Sequence, residues 1–473
     1  MAVMLRPASL ALLVAACCVG ACQRAAGTPD GTTASSTSLP AASRSEVGLA
    51  GAAPATDASS DEAKGPVGSA PEPDGDDDPT DTGSGSLPEP AHFERVGRAP
   101  LALRRICDLT PFGHALYAAH AYEPLDMDGA TITRFDPAAE RTPFSVAFDW
   151  NRSGEPARNG GAGQGFLRVH AIGGRLFVPD ADPPYNGFEV TEPGTEGYVF
   201  VSDGNGVFAP PKMPHHRPPD SPGAQGGPGA GILPRAYHVL DVIRFRGRLY
   251  ASTGSVPPGE RAWHGPSPGA LHVASADLSR WTYEVDYPPY PWKDGVWRLG
   301  YLVRYRGRLY AGIQDYDGVE PNDYVVFDPP AGAARISAAD VRAVRVTAEG
   351  TARTLRWYAH DGKLYWIAWA RDGVKLRVTD DGEHWRVVEL PKHAGWPADV
   401  TLFRGVLVVL AAQGLYRLDR EPPTLVGRVT QRDGRSPFEV ADLFCAAPLA
   451  VLDDELYAGG QRDGALYRLR EGP

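Results

Sequence analysis

Beyond residue 92 the apolar positions come in short β-rich runs separated by Gly, Asp and Pro, with no amphipathic helix of note. Residues 238–285 show the pattern most plainly. His238 to Phe245 reads as one strand, Arg246-Gly247 as a tight turn and Arg248 to Ser252 as a second strand. After a Gly/Pro loop, Ala270 to Ala274 reads as a third strand and Trp281 to Val285 as a fourth. Glycine at the second position of the turn suits a two-residue hairpin, and Asp361-Gly362 is the stronger form of that signal.

The hairpin recurs. Arg246-Gly247-Arg248-Leu249-Tyr250-Ala251 returns as Arg306-Gly307-Arg308-Leu309-Tyr310-Ala311. Weaker copies lie at His114 to Ala118, Gly174 to Phe177, Asp361 to Tyr365, Gly405 to Val408 and Asp454 to Ala458. Aligned on their leucine, the seven copies stand at 116, 176, 249, 309, 364, 407 and 456. Such spacings, each filled with four short antiparallel strands and no parallel crossover, predict an all-β fold: a β-propeller of about seven four-stranded blades.

The third-to-fourth turns carry a second marker. Thr379-Asp380-Asp381-Gly382 before Trp385, and Ser275-Ala276-Asp277 before Trp281, each place a hydroxyl residue and an Asp ahead of an aromatic. Ser202-Asp203-Gly204 before Phe208 is a looser version. Asp and Ser side chains there are expected to cap the turn's own backbone, with the aromatic packing between blades. These segments resemble contracted Asp-boxes of sialidase-like (BNR-type) propellers. In that family the Asp-box marks the fold and lies away from the active site.

The ends of the pattern predict how the ring closes. The last copy stops at a third strand, Ala465 to Leu469, whereas His92 to Gly97 is a strand without a blade. The simplest reading is that the N-terminal strand completes the last blade, leaving no open edge. Cys107 and Cys445 stand nine and eleven residues before their key leucines, in blades that become neighbours on closure. A disulfide between them would lock the ring and contribute on the order of 4–5 kcal/mol by loop entropy.

The first 91 residues fall outside the pattern. An apolar run, Ala8 to Val19, is followed by small residues and Cys22, as in a lipoprotein signal peptide spanning residues 1–22. Cys17 offers a competing lipidation site. The segment resembles the bacterial lipobox, and since residue 23 is Gln rather than the Asp that marks inner-membrane retention in that class, the resemblance implies the outer membrane, facing the periplasm or the cell surface, with the chain held by its lipid anchor. Residues 23–91 are rich in Ala, Gly, Ser, Pro and Asp and read as a disordered linker, leaving 92–473 as the propeller domain. Residues 1–98 hold 13 acidic and 6 basic side chains, whereas the whole chain is at −11, so the folded part is near neutral. With no basic tract, it is not expected to bind nucleic acid. It is read as a monomer without a cofactor. His215-His216 lacks a spaced partner, so no metal is expected.

Strand parity puts the long loops, at 179–197, 208–236, 253–269, 286–297 and 312–323, on one face. They carry Tyr185, Trp263, Tyr290, Trp292 and Tyr316. Exposed aromatics with interspersed carboxylates suit a sugar or an extended peptide. Eleven residues before the key leucines stand Arg105, His238, Arg298 and Arg353, in register to meet at the channel mouth and grip an anion. The same arginines can instead pair with Asp108, Asp241 and Asp399. The expectation is a propeller that binds a glycan or protein ligand without catalysis. The alternative is a sialidase-like glycoside hydrolase using the arginine cluster. For that, Arg105-Ile106 matches the start of the family's Arg-Ile-Pro motif, but Cys107 replaces the proline. Asp108 and Asp241 are acid candidates by position only, and no Tyr–Glu nucleophile pair is assigned.

Overall fold

In a computed structural model the described residues are 86–473, apart from 101–102, 122–129, 151–164, 182–195, 209–229, 235, 256–267, 279, 293–294, 316–317, 430–433, 441–443 and 473. The expected lipidation sites Cys22 and Cys17 and most of the expected linker therefore lie outside them.

The described residues form strands joined by turns and loops, with a 3-10 turn at Ala338–Asp340. After β1 (Ala91–Arg98), five four-stranded sheets and one eight-stranded sheet make a propeller arrangement. The first sheet holds β2 (Arg105–Phe112), β3 (Ala115–Ala121), β4 (Thr131–Phe135) and β5 (Phe144–Asp149). The second holds β6 (His170–Ile172), β7 (Arg175–Pro179), β8 (Glu196–Val201) and β9 (Ala230–Pro234). The third holds β10 (Ala236–Phe245), β11 (Arg248–Ser255), β12 (Gly269–Ala274) and β13 (Trp281–Tyr287). The fourth holds β14 (Trp297–Tyr305), β15 (Arg308–Asp315), β16 (Tyr324–Phe327) and β17 (Val341–Val344). The fifth holds β18 (Arg353–His360), β19 (Lys363–Ala370), β20 (Gly373–Thr379) and β21 (Arg386–Val387). The eight-stranded sheet contains β22 (Pro397–Phe403), β23 (Val406–Ala411), β24 (Gly414–Arg417), β25 (Thr424–Arg428), β26 (Leu449–Leu452), β27 (Glu455–Gly459) and β28 (Ala465–Glu471), with β1 between β25 and β28. Every repeated leucine falls on the second strand of a hairpin.

One expectation needs correction. The stretch 208–236 is not wholly loop, because Ala230–Pro234 supplies the fourth strand of the second sheet. The Gly/Pro-rich residues before it hid the short strand.

The ring closes as the sequence predicts. β1 runs antiparallel to β28, with Phe93 opposite Leu469, and a bulge separates Arg95 from Gly97. A two-pair parallel contact, Ala91 to Gly427 and His92 to Arg428, then fuses β1 to β25 and produces the eight-stranded sheet. Gly427 permits this approach, since a Cβ there would meet Leu469 Cδ1 at 2.6 Å. Cys107 and Cys445 form a disulfide across 338 residues of sequence, and both are buried.

The hydrophobic core is divided into layers between sheets. Trp281 packs with Val199, Val242 and Leu249, and Phe208 packs with Phe148, Phe166 and Phe200. Trp385 lies against Tyr324, Trp357 and Trp366 and donates its indole N–H to the Tyr324 hydroxyl at 2.9 Å. The turns before these aromatics are capped as expected. Asp381 Oδ1 accepts the backbone N–H groups of Glu383 and His384 at 2.7 and 2.8 Å. Asp203 Oδ1 accepts those of Asn205 and Val207, and Ser275 Oγ accepts that of Arg280. Among the described residues no helix is long and apolar enough to cross a membrane.

Candidate functional site

The innermost strands bring together a buried charged network that the sequence reading had assigned to other arginines. Eight residues before the key leucines stand Asp108, Arg168, Asp241, Tyr301, Arg356 and Asp399, all buried. Arg168 lies 3.4 Å from Asp108 and over the Tyr301 ring at 3.8 Å, a cation–π geometry. Arg356 lies 3.5 Å from Asp399 and 3.8 Å from Asp108, and donates to the carbonyls of Cys107 and Ala446. Asp241 takes its partner from two positions further along, His170 Nε2 at 2.6 Å. The side chains that meet these three aspartates are therefore Arg168, Arg356 and His170.

Each aspartate also staples two neighbouring inner strands. Asp108 accepts the Val169 N–H at 3.0 Å, Asp241 the Leu302 N–H at 2.7 Å and Asp399 the Leu449 N–H at 2.7 Å. In every case the donor stands seven residues before the next key leucine, so this is one device used three times. Burial would raise the Asp241 carboxyl, but His170 and Arg168 hold it below the usual carboxylate range. Burial raises Asp399, offset only in part by Arg356 and the two N–H groups it accepts. With these bonds Asp108 and Asp241, the acid candidates, are committed to holding strands together.

Of the proposed channel-mouth residues, three are linked through shared neighbours. His238, buried, lies with its ring 2.8 Å from the Ala181 carbonyl through Nδ1. A Cβ built on Gly254 would stand 2.9 Å from Arg298 and 3.4 Å from His238, so these two flank the same glycine. Arg298 pairs across strands with Gln314, and Gln314 lines a recess together with Arg353. Arg353 in turn pairs with Trp369, whose ring lies 5.2 Å from that of half-exposed Trp396. Arg105 belongs to the first sheet, where it pairs with Ala121 and its carbonyl receives His120 Nδ1 at 3.0 Å.

The loop aromatics divide in two. Tyr290 is 79% exposed and meets Trp292 edge-on at 5.7 Å, while the Trp292 indole N–H donates to Asp286 at 2.6 Å. Tyr185, Trp263 and Tyr316 lie outside the described residues, as does the His215-His216 pair. Among the described residues no group of His, Cys, Asp and Glu could hold a metal ion.

Sequence reasoning missed Arg168, Arg356, Tyr301 and Gln314. The first three were readable at a register three residues inside the one considered. Gln314 had no signal, because its environment depends on two glycines in neighbouring strands.

No known family model matches the chain, and no curated protein matches it in sequence. It is similar in structure to a prolyl endopeptidase from a study of two such enzymes, at 12% identity and a TM-score of 0.40, covering 78% of this chain and 50% of that one. PorZ, a surface component of the type-IX secretion system of Porphyromonas gingivalis, shares 15% identity and a TM-score of 0.46 over 77% of this chain and 46% of its own. BamB from Moraxella catarrhalis shares 12% identity and a TM-score of 0.35 over 80% and 97%. The chain spans about half the length of the first two. Likeness at this level carries no functional argument.

Proposed function

We propose that this chain is an outer-membrane lipoprotein, anchored through Cys22 or Cys17, whose seven four-stranded blades bind a glycan or protein ligand on the loop-rich face. In this reading the eight-stranded sheet is two blades joined by the short parallel contact of β1 with β25, and the capped turns are contracted Asp-boxes. The observation that carries the binding reading is the Tyr290–Trp292 pair. A large aromatic left mostly in water beside a second one, pinned through its indole N–H by Asp286, is a prepared stacking surface rather than a core remnant. The face would act as a receptor without chemistry. Hydrolysis of an acidic glycoside is the alternative, supported by Arg298 and Arg353 both neighbouring Gln314.

The test is capture of glycans and envelope proteins by the mature chain and by Trp292→Ala. Loss of capture by about tenfold or more in the variant supports this face. Unchanged capture removes it, and turnover of fluorogenic sialosides would replace binding with hydrolysis.

A further inference from the structure

The most closely repeated hairpin carries more charge than its fold needs. Arg244-Phe245-Arg246-Gly247-Arg248 and Arg304-Tyr305-Arg306-Gly307-Arg308 each place three arginines, and no acid, around the turns of β10–β11 and β14–β15. The two hairpins belong to neighbouring sheets, and their turns lie at the strand ends away from the loop-rich face. In each hairpin the third arginine is neutralised: Arg248 pairs with Glu284 at 3.3 Å and Arg308 with Asp328 at 2.8 Å. Arg244, Arg246, Arg304 and Arg306 form no ion pair with any described residue. Arg246 donates to the carbonyls of Pro330 at 2.8 Å and Gly307 at 3.1 Å, which meets its N–H groups and leaves its charge. Arg306 is exposed and sits over the Tyr305 ring at 5.6 Å, so an aromatic face rather than an acid positions it.

The patch has clear borders. Asp380 and Asp381 act on the Tyr305 hydroxyl from the fifth sheet and end it on that side, and Asp381 is itself taken by His384 at 2.6 Å. Toward the second sheet, Arg244 Nη2 would stand 3.2 Å from a Cβ built on Gly173, so this arginine reaches the neighbouring turn. The same end of the molecule receives the chain from its N-terminal side. Arg404, in the turn between β22 and β23, donates to the Ser86 carbonyl at 3.1 Å, and Arg417 pairs with Glu89 at 2.9 Å. From there β1 runs antiparallel to β28 toward the loop-rich side. Arginines spread over two adjacent turns suit a plane of phosphates, since a single small anion would need them to converge.

We propose that the arginine turns of the third and fourth sheets, Arg244, Arg246, Arg304 and Arg306, rest on an anionic phospholipid surface and so turn the loop-rich face away from the membrane. This rests on the reading of the chain as lipid-anchored, and extends it from an anchor to an orientation.

The experiment is co-sedimentation of the mature chain, made without an acyl group, with phosphatidylcholine vesicles that contain or lack phosphatidylglycerol. The anionic vesicles are expected to bind it and the neutral ones not, and binding should fall steeply with added salt. Arg306→Gln, at an exposed site, should fold normally and weaken binding by about fivefold, and adding Arg304→Gln should bring the loss to about 25-fold. Lys392→Gln, exposed in the connection from β21 to β22 on the loop-rich side, should bind as the wild type does. Equal binding to neutral vesicles, full binding by Arg306→Gln, or a loss in Lys392→Gln as large as in Arg306→Gln overturns the proposal. Tighter capture of soluble heparin than of the vesicles overturns it in favour of an acidic polysaccharide. If the unacylated chain binds as expected while mass spectrometry of the native protein finds no acyl group, the anchor fails and the arginine surface stands. An acylated native protein whose unacylated form ignores anionic vesicles sinks the surface alone.

Discussion

A buried histidine shows how closely single residues are fixed here. His120 on β3 is fully buried, with Nδ1 3.0 Å from the Arg105 carbonyl and Nε2 2.8 Å from Thr133 Oγ1. A carbonyl can only accept, so Nδ1 carries the proton and Nε2 accepts from the threonine hydroxyl. That neutral tautomer has no room for a second proton, and burial lowers the ring to about 4. As the pH falls below the ordinary histidine value near 6.5, the unfolded chain takes up a proton that the folded chain refuses until about pH 4. Stability from this group is thus complete above pH 6.5 and lost on acidification through that window, by about 3 kcal/mol. Urea unfolding at several pH values should show this loss in the wild type. A His120→Gln variant should show a shallower slope between pH 4 and 6.5, and equal slopes would refute the assignment. Nothing in the sequence marks His120. A lone histidine in an alternating strand reads the same whether its side chain meets water or a threonine across the sheet.

At the scale of elements the sequence was most legible where the physics is local. The turns at Arg246-Gly247, Arg306-Gly307 and Arg404-Gly405 have positive φ at both positions, the conformation that a two-residue hairpin needs and that glycine at the second position favours. The recurring Leu-Tyr phrase follows from one requirement, an inward leucine on the second strand of each hairpin. The fourth strand of the second sheet was harder to see, because Ala230–Pro234 is short and follows a Gly/Pro-rich stretch. The N-terminal strand stood out because it was one strand too many. It is held by more than its ladder to β28. Phe93 is 3% exposed and meets Phe438 edge-on at 5.0 Å. Phe93→Ala should cost about 3–5 kcal/mol in unfolding free energy. Glu94→Ala, on the same strand, removes an exposed ion pair with Arg470 and should cost under about 1 kcal/mol. If the two variants unfold alike, β1 is an accessory rather than the closing strand.

For the whole molecule the question is what keeps a ring of separately packed sheets from opening. Two fastenings meet at the same place. β1 brings the N-terminal end into the sheet of the C-terminal hairpins, and Cys107–Cys445 ties the first inner strand to the segment leading into β26. The disulfide also belongs to the axial network. Arg356 donates to the carbonyls of Cys107 and Ala446, and the Tyr301 hydroxyl donates to that of Phe444, so the segment around Cys445 is drawn onto the axis from two other sheets. The cysteine pairing was visible in the sequence once the ring was assumed. The charged ring left a register, eight residues before the key leucines, but not its pairing, because ions are committed to this depth only when partners from several sheets arrive together, and no single repeat contains its own partner. By loop entropy alone, replacing both cysteines with serine should lower the unfolding free energy by about 4–5 kcal/mol. Removing only the cross-link leaves the aspartate staples and the arginines in place, so the variant should still fold. Its denaturant midpoint should fall in a single transition, with a somewhat steeper slope because the unfolded chain without the cross-link is more expanded. A separate early transition, with the first and last hairpins exchanging amide hydrogens ahead of the middle sheets, would mean instead that the disulfide alone holds the seam and that β1 does not close the ring unaided.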